Sequence, residues 1–239
     1  CFATNLETKE GKYIYRVSDD MSSLSPRSTI TKAEEILIKK DFFKIISVPY
    51  ETLFEKFSKI SSRVCLQRHA VNKTLINKVN ENPYMPHTIN AVYVGVSFCD
   101  SEIINVLAKS FPHVLFHIIG RADNLVALRN IKVYGLISFE ETLKYIKFCD
   151  VALQTIHSDD LDLSYNRMTN KIIQYQYCKK PIFGPKDLKH CDLNYFSYDR
   201  DNLENVKETF TNLISTKHHN MKMFEIFDWT DLAESLLED

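Results

Sequence analysis

Tyr165-Asn166-Arg167-Met168-Thr169-Asn170-Lys171-Ile172-Ile173-Gln174-Tyr175-Gln176-Tyr177-Cys178-Lys179-Lys180-Pro181-Ile182-Phe183-Gly184-Pro185 opens polar, turns helical and closes on a strand. From Asn170 onward Ile172, Ile173, Tyr175 and Tyr177 interleave with Lys171, Gln174 and Gln176, which reads as a helix. Pro181 stops it, and Ile182-Phe183 reads as a short buried strand. Thr169 or Asn170 is the expected N-cap, its side-chain oxygen taking one orphan backbone N–H. Lys171 then falls in the first turn, where a cation opposes the helix dipole. A phosphate at that helix start would reverse the balance, because free N–H groups and a partial positive charge gather there.

The same helix-then-strand order recurs along the chain. Lys12 to Val17 is a β-rich run ending at Ser18-Asp19-Asp20. A helix from Thr31 to Lys40, a strand from Phe43 to Val48, a helix from Tyr50 to Lys59 and the strand Val64 to Leu66 follow. Asn72 to His87 is polar, carries Pro83 and Pro86, and reads as a linker. A second series begins with the strand Ala91 to Val96. It continues through a helix at Ser101 to Ser110 and strands at Val114 to Ile119 and Ile131 to Tyr134. A helix at Phe139 to Phe148 and a strand at Asp150 to Leu153 lead into the opening stretch. Helices at Leu203 to Ile214 and Trp229 to Leu237 complete the chain. Such alternation implies parallel sheets covered by helices on both faces.

Composition narrows the function classes. The 239 residues fit one large domain or two small ones. A formal net charge of −1 gives no basic field for nucleic acid. The six cysteines form no Cys-x-x-Cys pair and read as reduced, mostly buried thiols of a cytosolic protein. No apolar run approaches the roughly 20 residues of a membrane span. The first residues do not read as a signal peptide. Residue 1 is Cys, so the opening looks like that of a protein that has lost its beginning.

Several residues carry candidate chemistry, each beside a plainer reading. Gly95 ends a strand, where a glycine allows a ligand close to the backbone or makes an ordinary turn. There is no Gly-x-Gly-x-x-Gly fingerprint and no Walker lysine, which weighs against a dinucleotide oxidoreductase or an NTPase. Asp160-Leu161-Asp162 can hold a divalent metal beside a diphosphate, or can be solvated loop. The histidines show no zinc-binding spacing. Asp19, just past a strand, suits a general base or a turn cap.

Taken together, these segments resemble the GT-B glycosyltransferases, most closely the GumK-like inverting β-glucuronosyltransferases of xanthan-type exopolysaccharide assembly. The resemblance is carried by Tyr15-Arg16-Val17-Ser18-Asp19, Ala91-Val92-Tyr93-Val94-Gly95, and Phe111-Pro112 with Phe116-His117-Ile118-Ile119-Gly120. Val133-Tyr134-Gly135, Tyr145-Ile146-Lys147, Lys171-Ile172-Ile173-Gln174-Tyr175 with Pro181, and Asp228-Trp229-Thr230-Asp231 extend it.

The resemblance implies an α/β chain of GT-B type, with two Rossmann-like domains, parallel sheets and an incomplete N-terminal domain. Residues 1–72 would be the last part of the acceptor-side domain and 73–88 a linker. Residues 89–216 would bind the donor nucleotide sugar, and 217–239 would hold a helix that packs back toward the N-terminal domain. About the first third of such an enzyme would be missing. Asp19 falls on the family's catalytic base. Gly95, Ser97, Leu136, Ile156, Thr169, Asn170, Lys171 and Gln174 fall at donor-binding positions, with Lys171 on the diphosphate. Departures from the pattern are Ser97 and Asn170 at methionine positions, Leu136 for a glutamate, Ile156 for a tyrosine and Lys179 for a glycine. Retaining GT-B enzymes commonly carry two glutamates eight positions apart, where this chain has Asn166 and Gln174, which favours inversion.

The implied reaction moves a hexose or uronic acid from a UDP-sugar to a glycan or polyprenyl-linked oligosaccharide. It needs no metal and no other cofactor. Work at the cytoplasmic face of the membrane, with room for peripheral contact, is implied too. The alternatives are a UDP-sugar epimerase on the same architecture, and a non-catalytic protein that binds nucleotide sugars or a partner.

Overall fold

The computed structural model describes residues 13–20, 29–158, 168–189, 194–216 and 225–238. The chain divides into two compact units, residues 1–70 with 227–239, and residues 71–226.

In the first unit, β1 (Tyr13–Arg16), β2 (Phe43–Val48) and β3 (Val64–Leu66) form a parallel sheet in that order. The helices α1 (Thr29–Lys39) and α2 (Glu51–Ser58) fill the crossovers. Leu53 and Phe57, four apart, share the buried stripe of α2. The C-terminal helix α8 (Trp229–Glu238) belongs to this unit and buries Leu232 and Leu236.

The second unit holds a six-stranded sheet in the order β6-β5-β4-β7-β8-β9, every neighbouring pair parallel. Its strands are β4 (Ile89–Gly95), β5 (Val114–Gly120), β6 (Ile131–Gly135), β7 (Val151–Leu153), β8 (Ile182–Pro185) and β9 (Tyr195–Tyr198). Ala91, Val92 and Tyr93 of central β4 are fully buried, as expected for a strand covered on both faces. The helices are α3 (Lys73–Lys78), α4 (Ser101–Ser110), α5 (Phe139–Phe148), α6 (Asn170–Tyr177) and α7 (Leu203–Ser215). α4 packs with α7, while α5 packs with α3 and α6. Right-handed crossovers place the first pair on one face of the sheet and the others on the opposite face.

Local chemistry fixes the helix starts. Asp100 caps α4 by accepting from Ile103 N at 3.3 Å, and Ser138 caps α5 by accepting from Glu141 N at 3.1 Å. Phe210 of α7 meets Phe111, Phe116 and Phe183 at centroid distances of 4.9, 6.0 and 5.1 Å, tying that helix to the sheet.

Two sequence expectations are corrected and one strand is added. The 73–88 segment is not all linker, because Asn72 caps α3 by accepting from Leu75 N at 2.8 Å. Strand β9 was not anticipated. Of the free thiols Cys65, Cys99, Cys149 and Cys178, Cys149 alone is fully buried.

Candidate functional site

Chain order reverses between β4 and β7. From β4 the chain runs outward to β6, then returns to the other side of β4. In open α/β sheets the crevice at such a switch point, at the carboxyl ends of the strands, is the preferred ligand site. The loops leaving β4 and β7 are stitched together there. Asp100 N donates to Thr155 O at 2.9 Å, His157 N donates to Phe98 O at 2.9 Å, and Cys99 bridges Ile156.

Helix α6 begins at this point. Thr169 occupies the N-cap position, but its hydroxyl makes no capping bond, contrary to the sequence expectation. That hydroxyl is buried without a hydrogen-bond partner among the described residues. Among the described residues the helix start therefore lacks side-chain capping, and a buried hydroxyl without a partner costs free energy until something meets it. Lys171 is the second residue of α6. Its amine crosses to β4, donates to Val94 O at 3.1 Å and lies 4.9 Å from the Tyr93 ring centroid. Burial pulls the amine down from 10.5 to about 8, with the Cys99 thiol opposing. A half-buried amine bonded to one carbonyl, with no carboxylate paired to it among the described residues, is in a position to receive an anion.

The other donor-side candidates fall on nearby loops and on α6. Gly95 ends β4 and Ser97 is exposed in the loop beyond, its carbonyl accepting from Tyr93 OH at 3.2 Å. A Cβ on Gly95 would stand 2.7 Å from that same hydroxyl, so the glycine makes room for Tyr93. Ile156 is buried in the loop after β7. Leu136 follows β6 and is 81% exposed. Asn170 is exposed at the first position of α6, and Gln174 lies one turn later, half-buried. Asp160, Asp162 and Asn166 lie outside the described residues. No cluster of three potential metal ligands occurs among the described residues.

Asp19 belongs to the first unit, in a bend just past β1, with its side chain exposed. Its neighbour Asp20 is engaged by Lys56 at 2.5 Å. The strand end before the bend is braced across the sheet. Arg16 donates to Ser47 Oγ at 2.6 Å and to Gln67 O at 2.7 Å. Ser47 Oγ donates to Gln67 Oε1 at 2.6 Å, and Gln67 Nε2 reaches Ser235 Oγ of α8 at 3.1 Å. This relay joins all three strands and the C-terminal helix beneath the Asp19 turn.

Sequence reasoning missed two features. Tyr93 lies beneath the Lys171 amine, a pairing across 78 positions that periodicity does not reveal. Arg200 bonds Asp100 at 2.7 Å and Glu102 at 2.9 Å, and sits just past the unanticipated strand β9.

No family model matches the chain. It is 24% identical over 238 residues to the UDP-glucuronate:glycolipid 2-beta-glucuronosyltransferase of Xanthomonas campestris pv. campestris. That match covers 95% of this chain and 56% of the relative, so the chain spans little more than half the relative's length. The Anabaena protein HepE in complex with UDP-glucose superposes with a TM-score of 0.64 at 14% identity, over 94% of this chain and 71% of HepE. The UDP-GlcNAc 2-epimerase of Methanocaldococcus jannaschii gives 0.55 at 10% identity, over 95% of this chain and 70% of the epimerase. The fold is α/β of GT-B type, with parallel sheets in both units.

Proposed function

We propose that this chain carries the donor site and the base of an inverting, metal-independent glycosyltransferase. The donor is a UDP-linked hexose or uronic acid, glucuronate being the one the relative's name points to. The observation that carries this reading is Lys171, half-buried on the start of α6 at the switch point between β4 and β7. The uncapped helix start and the amine together suit a diphosphate.

In this mechanism the Asp19 carboxylate takes the proton of an acceptor hydroxyl as that oxygen bonds to the anomeric carbon. The bond from that carbon to the diphosphate breaks, and its electron pair leaves on UDP. Attack from the opposite face inverts the configuration. Lys171 and the α6 N–H groups stabilise the charge that develops on the leaving diphosphate, work that a metal does in other enzymes. The GumK-like resemblance supplies the rest of the reading: a polyprenyl-linked glycan acceptor, exopolysaccharide assembly, and the cytoplasmic face of the membrane with peripheral contact. No helix among the described residues is long and apolar enough to cross a membrane.

Product analysis tests the reaction class. Donor alone should come back unchanged apart from slow hydrolysis, and donor with acceptor should give an inverted glycoside. Conversion of the free donor to its epimer would favour the epimerase instead. Asp19→Asn should lower transfer at least a hundredfold while UDP affinity stays within twofold. Normal turnover by that variant would remove Asp19 from the base role.

A further inference from the structure

A second feature of the 71–226 unit is a groove between α4 and the crossover from β5 to β6. The crossover from β5 to β6, residues 121–130, contains no helix, unlike those from β4 to β5 and from β6 to β7. Two side chains on successive turns of α4 hold it in place. Ser101 Oγ donates to Asp123 O. Asn105 Nδ2 donates to Asn124 O at 3.0 Å while its Oδ1 accepts from Val126 N at 2.9 Å. Arg200, fixed by Asp100 and Glu102, stands nearby. These residues line an open groove of about 640 Å³, within the size range of small-molecule sites. Glu102, Asn105, Val106 and Lys109 put the groove along about 10 Å of α4. Lys171 is not among the lining residues.

The cations of the groove fall into two kinds. Arg200 is neutralised by two carboxylates and serves the wall. Lys109 and Arg121 are exposed, and among the described residues their side chains have no hydrogen bond and no ion pair. Arg121 is held in place by its backbone alone, its N–H donating to Gly95 O at 2.9 Å. Ser97, Asp123 and Asn124 add a hydroxyl, a carboxylate and an amide to the lining. Two uncommitted cations, with one carboxylate and an amide beside them that can bond hydroxyls, match a ligand that carries oxyanions and many hydroxyls.

We propose that this groove binds an acidic carbohydrate, a sugar bearing carboxylate or phosphate, with Lys109 and Arg121 on the oxyanions and Asp123 and Asn124 on the hydroxyls. The groove borders the loop after β4 at Ser97, but Lys109 and Arg121 are not among the donor-side candidates, so the proposal does not rest on the donor reading.

Calorimetric titration of the full chain with three probes tests it: a trisaccharide of glucuronic acid, glucose 1-phosphate, and a neutral glucose trisaccharide. At least one acidic probe should bind while the neutral one does not, and the stronger acid probe identifies the oxyanion. The Lys109→Ala/Arg121→Ala double variant should bind that probe at least tenfold more weakly, with its circular dichroism unchanged, because both side chains are exposed. UDP affinity should be unchanged in the double variant, and acidic-sugar affinity unchanged in Lys171→Ala. Failure of both acidic probes, equal binding of the neutral one, or an unaffected double variant would overturn the proposal. A parallel loss of UDP binding in the double variant would also overturn it, by making the groove part of the donor site. Loss of UDP binding in wild type, with acidic-sugar binding intact, would instead count against the donor reading alone.

Discussion

Lys171 shows what a single placement demands. Its ordinary value is 10.5, and burial brings the amine to about 8. Between those values the unfolded chain holds a proton that the folded chain has released. Stability of the ligand-free protein should therefore rise with pH from about 8 to 10.5 on this group's account. A bound diphosphate favours the charged amine, so binding near pH 8.5 should draw a proton from the buffer. Gly120 makes a different demand at the same end of the sheet. Its φ is +108°, and a Cβ there would overlap the Gly95 carbonyl oxygen. Gly120→Ala should destabilise the protein by about 1–3 kcal/mol in denaturant unfolding, the usual cost of such strain. A change below a few tenths would show that the β4 and β5 ends can separate freely.

Among the elements, β4, β5 and β6 share a buried polar chain. His117 Nε2 lies 3.0 Å from Asn90 Oδ1, and Nδ1 lies 2.8 Å from Tyr134 OH. The amide oxygen can only accept, so Nε2 carries the proton and Nδ1 accepts from the tyrosine. Burial, aided by the charge of Lys132, lowers this imidazole from 6.5 to about 4. Below pH 6.5 the unfolded chain gains a proton that the folded chain refuses, so stability falls as pH drops from 6.5 toward 4. His69, also held near 4 by burial and by Arg16, acts in the same sense. His117→Leu should cost about 1–3 kcal/mol at pH 7, because Asn90 and Tyr134 lose their partner. It should also flatten the loss of stability between pH 7 and 5. An unchanged acid slope in urea melts would remove His117 from the acid response.

At the scale of the whole molecule, most elements were legible in the sequence. β-rich apolar runs marked the strands and amphipathic periodicity the helices, so β2, β3, α4 and α5 match their expected spans. Strand β9 escaped even though Tyr195-Phe196-Ser197-Tyr198 is strongly β-favouring. Helix α3 escaped because Pro83 and Pro86 drew the whole segment into a linker reading, although Asn72 is a good cap. In the candidate site, Lys171 was visible because a polar run turns periodic at Asn170. Its partners were not, since the bond to Val94 O spans 77 positions. The ion pair of Arg200 with Asp100 spans 100 positions and was hidden for the same reason. Local pattern places a residue on an element, and only the sheet order decides what faces it across the switch point.

A whole-molecule expectation follows from a diphosphate site built on a lysine and a helix start. UDP affinity measured with excess EDTA should equal that with magnesium within twofold, and a large loss on chelation would assign the charge balance to a metal. The central claim is tested most directly by calorimetric titration of UDP into wild type and Lys171→Ala at pH 8.5, in two buffers of different ionisation enthalpy. Wild type should bind with proton uptake, and the variant should lose at least tenfold in affinity together with the uptake. Equal affinity in the two proteins would contradict the account.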